Sequence, residues 1–245
     1  MAAIGIVGGV GPEAGLGLAH KVFANTEAKK DQQHIDLYLT SIPAHIPDRT
    51  EFLLNGGENP APGLQKSLDK LIGCGATALA IACNTAHSPK IISQLNFPQN
   101  VRFVNMIETT TNFLAKKFSG KKVGIIATLG TLKTGVYADY AEKCGAFSLI
   151  LPNEENCNGV QDAIYNTQYG IKALNGPSEQ NFSRVSRAVD DLIEQGAAAI
   201  ILGCTELPLV FKDTNTYKGA VLVDPCDLVA MELIKTVDET KLKSF

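Results

Sequence analysis

The sequence predicts an α/β protein of two similar lobes related by a pseudo-twofold axis, each a mostly parallel sheet flanked by helices. Two repeated patterns support this prediction. The β-rich run AIGIVG at residues 3–8 recurs as KVGIIA at residues 122–127. The stretch LDKLIGCGATALAIACNT at residues 68–85 recurs as VDDLIEQGAAAIILGCTE at residues 189–206, about half of the 245-residue chain later. Strands that alternate with helices in this way are typical of parallel sheets with helices on both faces.

The elements of the first half follow from local composition. The run at 3–8 enters the turn Gly8-Gly9-Val10-Gly11, after which Pro12 and Glu13 suit the first turn of a helix. Short apolar runs bounded by turn residues predict strands at 3–8, 35–42, 78–82 and 101–105. Helices are predicted at 13–28, before Gly75, from Pro89 and at 107–118.

The second half repeats this order. The strand at 122–127 restarts it, and residues 219–225 match 101–106 as a strand that leads into a helix. We therefore predict an N-terminal lobe at residues 1–118, to which the C-terminal segment 220–245 is a candidate addition, and a second lobe at 119–219. The expected active site is the cleft between them, because open parallel sheets bind ligands outside the carboxyl ends of their strands.

Composition excludes several classes of protein. Hydrophobic residues make up 45%, charged residues 19%, and the net charge is −3, which is typical of a globular protein and argues against nucleic acid as a partner. We expect no membrane association, since no apolar run is long enough to span a bilayer. The N-terminal residues lack the features of an export signal, so a cytoplasmic location is expected.

The cysteines also argue against two kinds of scaffold. Six cysteines in a chain of this length are too sparse for a disulfide framework. No CxxC pair or His/Cys cluster is present, so we expect no metal site.

Cys83 and Cys204 occupy matching positions in the two repeats, each just after an apolar run. Cysteines in such places are usually small buried hydrophobic residues. Here each is followed by polar residues, and backbone amides there are expected to lower the thiol pKa. Two opposing thiols suit either dithiol–disulfide redox cycling or proton transfer, in which one thiolate removes a proton and the other thiol returns one to the opposite face.

Two cations are candidates for holding a substrate carboxylate. Arg49, in the segment PDRT, can form a bidentate fork, although a surface ion pair with Asp48 or Glu51 is the simpler interpretation. Lys172, in the segment GIKA, is the second candidate, and its simpler interpretation is a solvated lysine.

Two further side chains near the cysteines have alternative interpretations. His87 either orients a thiol or caps a turn. Glu206 either accepts the substrate ammonium, assists proton transfer, or is a solvated carboxylate.

The glycine turn that contains Gly9 suggests a phosphate-binding loop. Its spacing is not that of the dinucleotide fingerprint G-x-G-x-x-G, and the matching turn at residues 128–131 lacks the glycines. We therefore interpret it as a backbone nest for a substrate carboxylate.

Five motifs of this chain resemble those of the aspartate/glutamate racemase superfamily, within its aspartate racemase branch. In chain order they are IGIVGGVGP, IPDRT, ACNTAH, GIKA and LGCTELP. The resemblance covers nearly the whole chain. It implies a cofactor-independent (PLP-independent) racemase with two α/β lobes, which acts on a small acidic amino acid and forms a homodimer.

The resemblance also assigns residues. It implies that Cys83 and Cys204 are the two catalytic bases, one for each enantiomer. Arg49 and Lys172 match the positions that hold the substrate's carboxylates. The positions that line the site are matched by Asn84, Thr85, Thr131 and Thr205.

Sister groups leave alternatives open. Glutamate racemases of the cell-wall type carry a histidine where this chain has Glu206, and decarboxylases of the superfamily keep only one cysteine. Maleate isomerases and hydantoin racemases keep both, and a non-catalytic carboxylate-binding protein would keep Arg49 and Lys172. The two cationic segments favour an acidic amino acid, with aspartate and glutamate both open.

Overall fold

Two sheets organise the chain, one in each of two compact units. The computed structural model describes residues 2–211 and 214–244. Unit 1 combines the residues up to 109 with those from 226 onward, and unit 2 is the continuous stretch 110–225. Helix α5 begins in unit 1 and continues into unit 2, whereas α11 begins at the end of unit 2 and continues into unit 1.

The strands are short, and the inner strands of both sheets are mostly buried, as expected for sheets covered on both faces. They are β1 (Ile4–Gly8), β2 (Leu37–Ser41), β3 (Ala78–Ile81), β4 (Arg102–Phe103), β5 (Lys122–Ala127), β6 (Ser148–Ile150), β7 (Ala197–Gly203), β8 (Thr216–Tyr217) and β9 (Ala220–Val223). The helices are α1 (Pro12–Asn25), α2 (Arg49–Asn55), α3 (Ala61–Gly73), α4 (Pro89–Ile92), α5 (Met106–Lys117), α6 (Leu129–Lys133), α7 (Val136–Cys144), α8 (Glu154–Tyr165), α9 (Ile171–Leu174), α10 (Glu179–Glu194) and α11 (Pro225–Asp238).

The two sheets share one topology. The first has the order β2-β1-β3-β4, and the second has the order β6-β5-β7-β9-β8. All pairings are parallel except that of β8 with β9. Strands β1, β2, β3 and β4 therefore correspond to β5, β6, β7 and β9, which confirms the predicted fold class.

Element boundaries differ from the predictions where distant contacts intervene. The first helix, predicted to reach residue 28, ends at Asn25. Thr26 leaves the helix and forms a bridge with Leu242, near the other end of the chain. The strand predicted at 101–105 is reduced to Arg102–Phe103, which pairs only with β3.

Both faces of the unit 1 sheet are packed. Alternate residues of a strand point to opposite faces, so Ile4 and Ile6 of β1 pack with α1 and α11, including Leu233. Val7 joins the opposite cluster with Leu64 of α3. In unit 2, a large cluster joins β5 and β7 to α8 and α10.

Candidate active site

Cys83 lies just beyond the carboxyl end of β3 in unit 1. It is 6% exposed, and the next two residues, Asn84 and Thr85, are also buried. Its backbone amide donates to the carbonyl of Ile81 at 2.8 Å, and a 3₁₀ turn, Thr85–His87, follows. The chain thus turns sharply at the cysteine, at the edge where parallel α/β sheets place their ligand sites.

His87 links this turn to helix α5. Its Nδ1 lies 2.8 Å from the carbonyl oxygen of Cys83, and the backbone N–H of Met106 donates to its Nε2 at 3.3 Å. Because Nε2 accepts, Nδ1 carries the proton and donates to Cys83. Complete burial lowers the pKa of His87 to about 4, against the smaller opposing effect of the Cys83 hydrogen bond. His87 is therefore a neutral residue that holds the backbone of Cys83 and the start of α5.

This burial predicts a pH-dependent stability. Since the folded-state pKa of His87 is about 4 and its ordinary value is 6.5, the unfolded chain binds more protons between these values. Stability is therefore complete above about pH 6.5 and falls as the pH drops towards 4, by about 3 kcal/mol from this group. Urea unfolding between pH 4.5 and 7.5 measures the slope.

The variant His87→Gln tests the assignment, because an amide does not titrate. We expect it to be less stable at neutral pH and to have a shallower slope than the wild type. The control is His45→Gln, at an exposed histidine, which should keep the wild-type slope. An unchanged slope in His87→Gln would contradict the assignment.

Arg49 is held against the glycine turn. It is 8% exposed, and its guanidinium donates to the carbonyl oxygens of Val10 at 2.6 Å and Pro47 at 3.2 Å. The side chain is buried, so Arg49 does not lie at the surface. The Asp48 carboxylate caps α2, accepting from the backbone N–H groups of residues 50 and 51.

Gly9 has structural reasons to be glycine. Its φ is +73°, and a Cβ at this position would lie 2.9 Å from the backbone nitrogen of Ile42. The turn therefore packs closely against the chain that leaves β2. The guanidinium of Arg49 donates to the carbonyl oxygen of Val10, so Arg49 lies beside this turn.

Cys204 lies just beyond the end of β7, the strand that corresponds to β3. It is 7% exposed, and its thiol donates to Oε2 of Glu206 at 2.9 Å. The hydroxyl of Thr205 donates to the same oxygen at 3.2 Å, and the ammonium of Lys172 donates to Oε1. The Glu206 side chain is 5% exposed and that of Lys172 is 24% exposed. The interpretation of Glu206 as a solvated carboxylate is therefore wrong, and Lys172 is a partly exposed lysine paired with Glu206.

The protonation states of Cys204 and Glu206 follow from their surroundings. Burial, together with the negative charge of Glu206, raises the pKa of Cys204 well above its ordinary value, and Lys172 offsets this only in part. Burial would also raise the pKa of Glu206, but Lys172 and the hydrogen bonds from Cys204 and Thr205 outweigh it and lower that pKa. Cys204 is thus a neutral thiol that donates to a carboxylate. The expectation of a lowered thiol pKa is wrong for Cys204, because burial dominates over its backbone surroundings.

Lys172 is positioned by the loop that surrounds α9. The buried side chain of Asn181, in the first turn of α10, donates to the carbonyl oxygens of Tyr169 at 2.9 Å and Gly176 at 3.2 Å. The backbone N–H of Ser178 donates to the Asn181 side-chain oxygen at 2.8 Å. Both ends of the loop are therefore fixed to one amide. The sequence reasoning missed Asn181, although the spacing S-x-x-N at 178–181 is a helix-capping signal.

Thr131 lies in α6, which follows β5. It is 1% exposed, and Thr128 caps its helix by accepting from the backbone N–H of Thr131 at 3.3 Å. The two hydroxyl oxygens are 3.2 Å apart. The predicted site residues divide between the two units. Unit 1 holds Gly9, Arg49, Cys83, Asn84 and Thr85, and unit 2 holds Thr131, Lys172, Cys204, Thr205 and Glu206.

Two further findings concern the described residues as a whole. Within residues 2–211 and 214–244, no three His, Cys, Asp or Glu side chains are grouped so as to hold a metal ion. No helix in the same ranges has both the length and the apolar character needed to cross a membrane.

Fold and site together define a class: an α/β protein with a buried free cysteine at the end of the corresponding strand in each of two sheets. The Asp/Glu/Hydantoin racemase family profile matches residues 7–233. The chain belongs to this family, and the membership supports the class of amino-acid racemases.

Curated relatives agree with this assignment, and a solved structure shares the fold. A glutamate racemase of Persephonella marina is 29% identical over 221 residues, which cover 85% of this chain and 75% of that protein. A glutamate racemase of Roseiflexus sp. is 28% identical over 175 residues, covering 70% of this chain and only 60% of the relative. The fold is similar to that of Picrophilus torridus aspartate racemase, with a TM-score of 0.82, 24% identity, and coverage of 99% and 96% of the two chains.

Proposed function

We propose that this protein is a cofactor-independent racemase that interconverts the L and D forms of aspartate, glutamate or both. The observation that carries the proposal is the pair of buried thiols, Cys83 and Cys204, at corresponding strand ends of two sheets with the same topology. Membership of the racemase family supports the reaction type. The names of the relatives, which include glutamate and aspartate racemases, support acidic substrates.

The proposed mechanism uses one thiol on each face of the substrate Cα. In one direction, Cys83 as a thiolate takes the Cα proton, and the carbanion takes a proton from the Cys204 thiol. The product leaves Cys83 as a thiol and Cys204 as a thiolate, which is the form that accepts the opposite enantiomer. The neutral state of Cys204 in the free protein favours it as the initial proton donor.

Glu206 has a proposed role in positioning the Cys204 thiol. The thiol of Cys204 donates to its carboxylate at 2.9 Å, which fixes the orientation of the thiol. Lys172 pairs with the carboxylate, which limits the repulsion between Glu206 and the Cys204 thiolate formed in the reaction. Glu206 thus serves as an ionised positioning residue for Cys204.

Cationic and polar groups supply the proposed substrate contacts. Arg49, oriented by Val10 and Pro47, is proposed to hold one carboxylate beside the turn at Gly9. Lys172 is proposed to hold another, since an ammonium has three donors and can contact Glu206 and a substrate together. The proposed donors that stabilise charge developing on the α-carboxylate are Asn84, Thr85, Thr131 and Thr205.

The test is proton exchange without an added cofactor. The reduced protein is incubated in D₂O separately with L-aspartate and L-glutamate, and proton NMR follows the Cα signal while chiral chromatography follows the D isomer. We expect loss of the Cα signal together with D product for at least one acid. A protein that binds the acids without exchanging the Cα proton would contradict the proposal. Turnover of a hydantoin or maleate alone would replace the substrate assignment.

A further inference from the structure

Unit 2 contains a cavity of about 390 Å³ between helix α7 and the strands β5 and β6. Several of its lining side chains are buried, with Ile125 1%, Tyr137 3% and Phe147 8% exposed. At its rim, Leu151 is 46% exposed. The space is therefore a pocket that reaches into the apolar interior of unit 2.

The cavity has the size and chemistry of a small-molecule site. An apolar cavity of about 150 Å³ is enough to bind benzene, so this one accommodates a bicyclic aromatic body. Ligand sites typically combine an apolar lining with a few polar groups that fix orientation. Glu142 is the one charged side chain among the lining residues, and it is exposed at the rim. The lining thus favours a compact aromatic molecule that carries one positive charge.

The helix beside the cavity is joined by glycines at both ends. Gly135 precedes α7 with φ of +66° and Gly145 follows it with φ of +58°, and both line the cavity. Thr131, on the preceding helix α6, lines the same cavity. A molecule in this space would therefore contact both α7 and the helix that carries a proposed substrate-site residue.

We propose that this cavity is a regulatory binding site for a small aromatic amine, whose occupancy fixes helices α6 and α7 and thereby the position of Thr131. The binding part of the proposal is independent of the racemase reaction. The effect on turnover rests on the proposed function.

Tryptamine is the probe, because it combines an indole ring with one ammonium. Indole-3-acetate is the matched control, since it has the same ring and the opposite charge. Isothermal titration of the full chain should show saturable binding of tryptamine that is about fivefold tighter than that of indole-3-acetate, as expected for a partly exposed charge pair. In Glu142→Gln the two affinities should become equal within about twofold.

A second variant tests the location. Ala141 is 6% exposed and lines the cavity, so Ala141→Leu should narrow it and weaken the binding of both indoles. Glu142→Gln changes only an exposed side chain and keeps the test usable if Ala141→Leu does not fold. Binding that is absent in the wild type, or unchanged in a folded Ala141→Leu protein, would overturn the proposal.

Two further outcomes separate this proposal from its alternatives. Sedimentation of the wild type and Leu151→Asp shows whether the rim is covered by a second copy of the chain, and a dimer lost in Leu151→Asp would overturn the small-molecule site. Tryptamine should also change the rate of Cα exchange by more in the wild type than in Ala141→Leu. Binding of tryptamine without an effect on the rate of Cα exchange would overturn the regulatory role. Binding to a protein that has no exchange activity would contradict the proposed racemase function but leave the binding site intact.

Discussion

Replacing either Cys83 or Cys204 with alanine should lower racemisation by at least about 1,000-fold, since each removes a group that transfers a proton in the reaction. Both side chains are small and buried, so the folded state should persist. The measurement is the rate of D-isomer formation from the substrate identified by exchange in D₂O. The matched control is Cys226→Ala, at a third buried cysteine that packs in the unit 1 core, and it should keep wild-type turnover.

The serine variants sharpen this prediction. In Cys83→Ser or Cys204→Ser one thiol remains, so Cα exchange should continue from one enantiomer and be lost from the other. The two variants should retain opposite enantiomers. Full turnover in either alanine variant would contradict the two-base mechanism, and retention of the same enantiomer by both serine variants would contradict the division of roles.

Lys172→Met should be the most damaging change outside the cysteines. It removes the cation that neutralises Glu206, a carboxylate whose side chain is only 5% exposed. Removing one partner of a buried pair is strongly destabilising, and with Lys172 partly exposed we expect a loss of about 2 kcal/mol. Loss of a carboxylate contact should also lower kcat/KM by about 100-fold, comparable to about 3 kcal/mol of a charge-assisted contact.

A double-mutant cycle measures the interaction free energy between Lys172 and Glu206. Glu206→Gln removes the buried charge, so Lys172→Met/Glu206→Gln should be more stable than Lys172→Met alone. Urea unfolding gives the free energies. The alkylation rate of Cys204 gives its ionisation and is followed by mass spectrometry of the peptide that contains it, because Cys74 and Cys144 are exposed free thiols. This rate should fall in Lys172→Met because the nearby positive charge lowers the thiol pKa. A Lys172→Met protein as stable as the wild type would show that the pair does not support the fold.

The repeat made the fold class predictable. Residues 68–85 and 189–206 share a glycine turn and a cysteine at the same spacing, and these mark strands β3 and β7, which occupy corresponding places in their sheets. Local signals such as Pro12 also located helix starts. Boundaries set by distant partners could not be predicted, because the bridge between Thr26 and Leu242 joins opposite ends of the chain.

The candidate active site likewise has features that could be predicted from the sequence and features that could not. Its residue types were predictable, since paired cysteines and two cations are visible in the sequence. Their partners were not, because each depends on three-dimensional contact. Glu206 contacts both Cys204 and Lys172, which is 34 positions away. His87 reaches Met106 rather than a thiol, and that contact needs the strand order that brings α5 beside the turn at Cys83.

Helix α11 has a consequence for synthesis of the protein on the ribosome. Unit 2 is continuous, whereas the core of unit 1 includes Leu233 and other side chains of α11, packed against β1 and α1. The residues up to 109 are translated before α11 and therefore lack one of their packing partners until α11 has been synthesised. Unit 2 can therefore fold before the core of unit 1 is complete. Nascent chains halted before residue 226 should bind chaperones through the face of β1 that α11 covers in the folded protein.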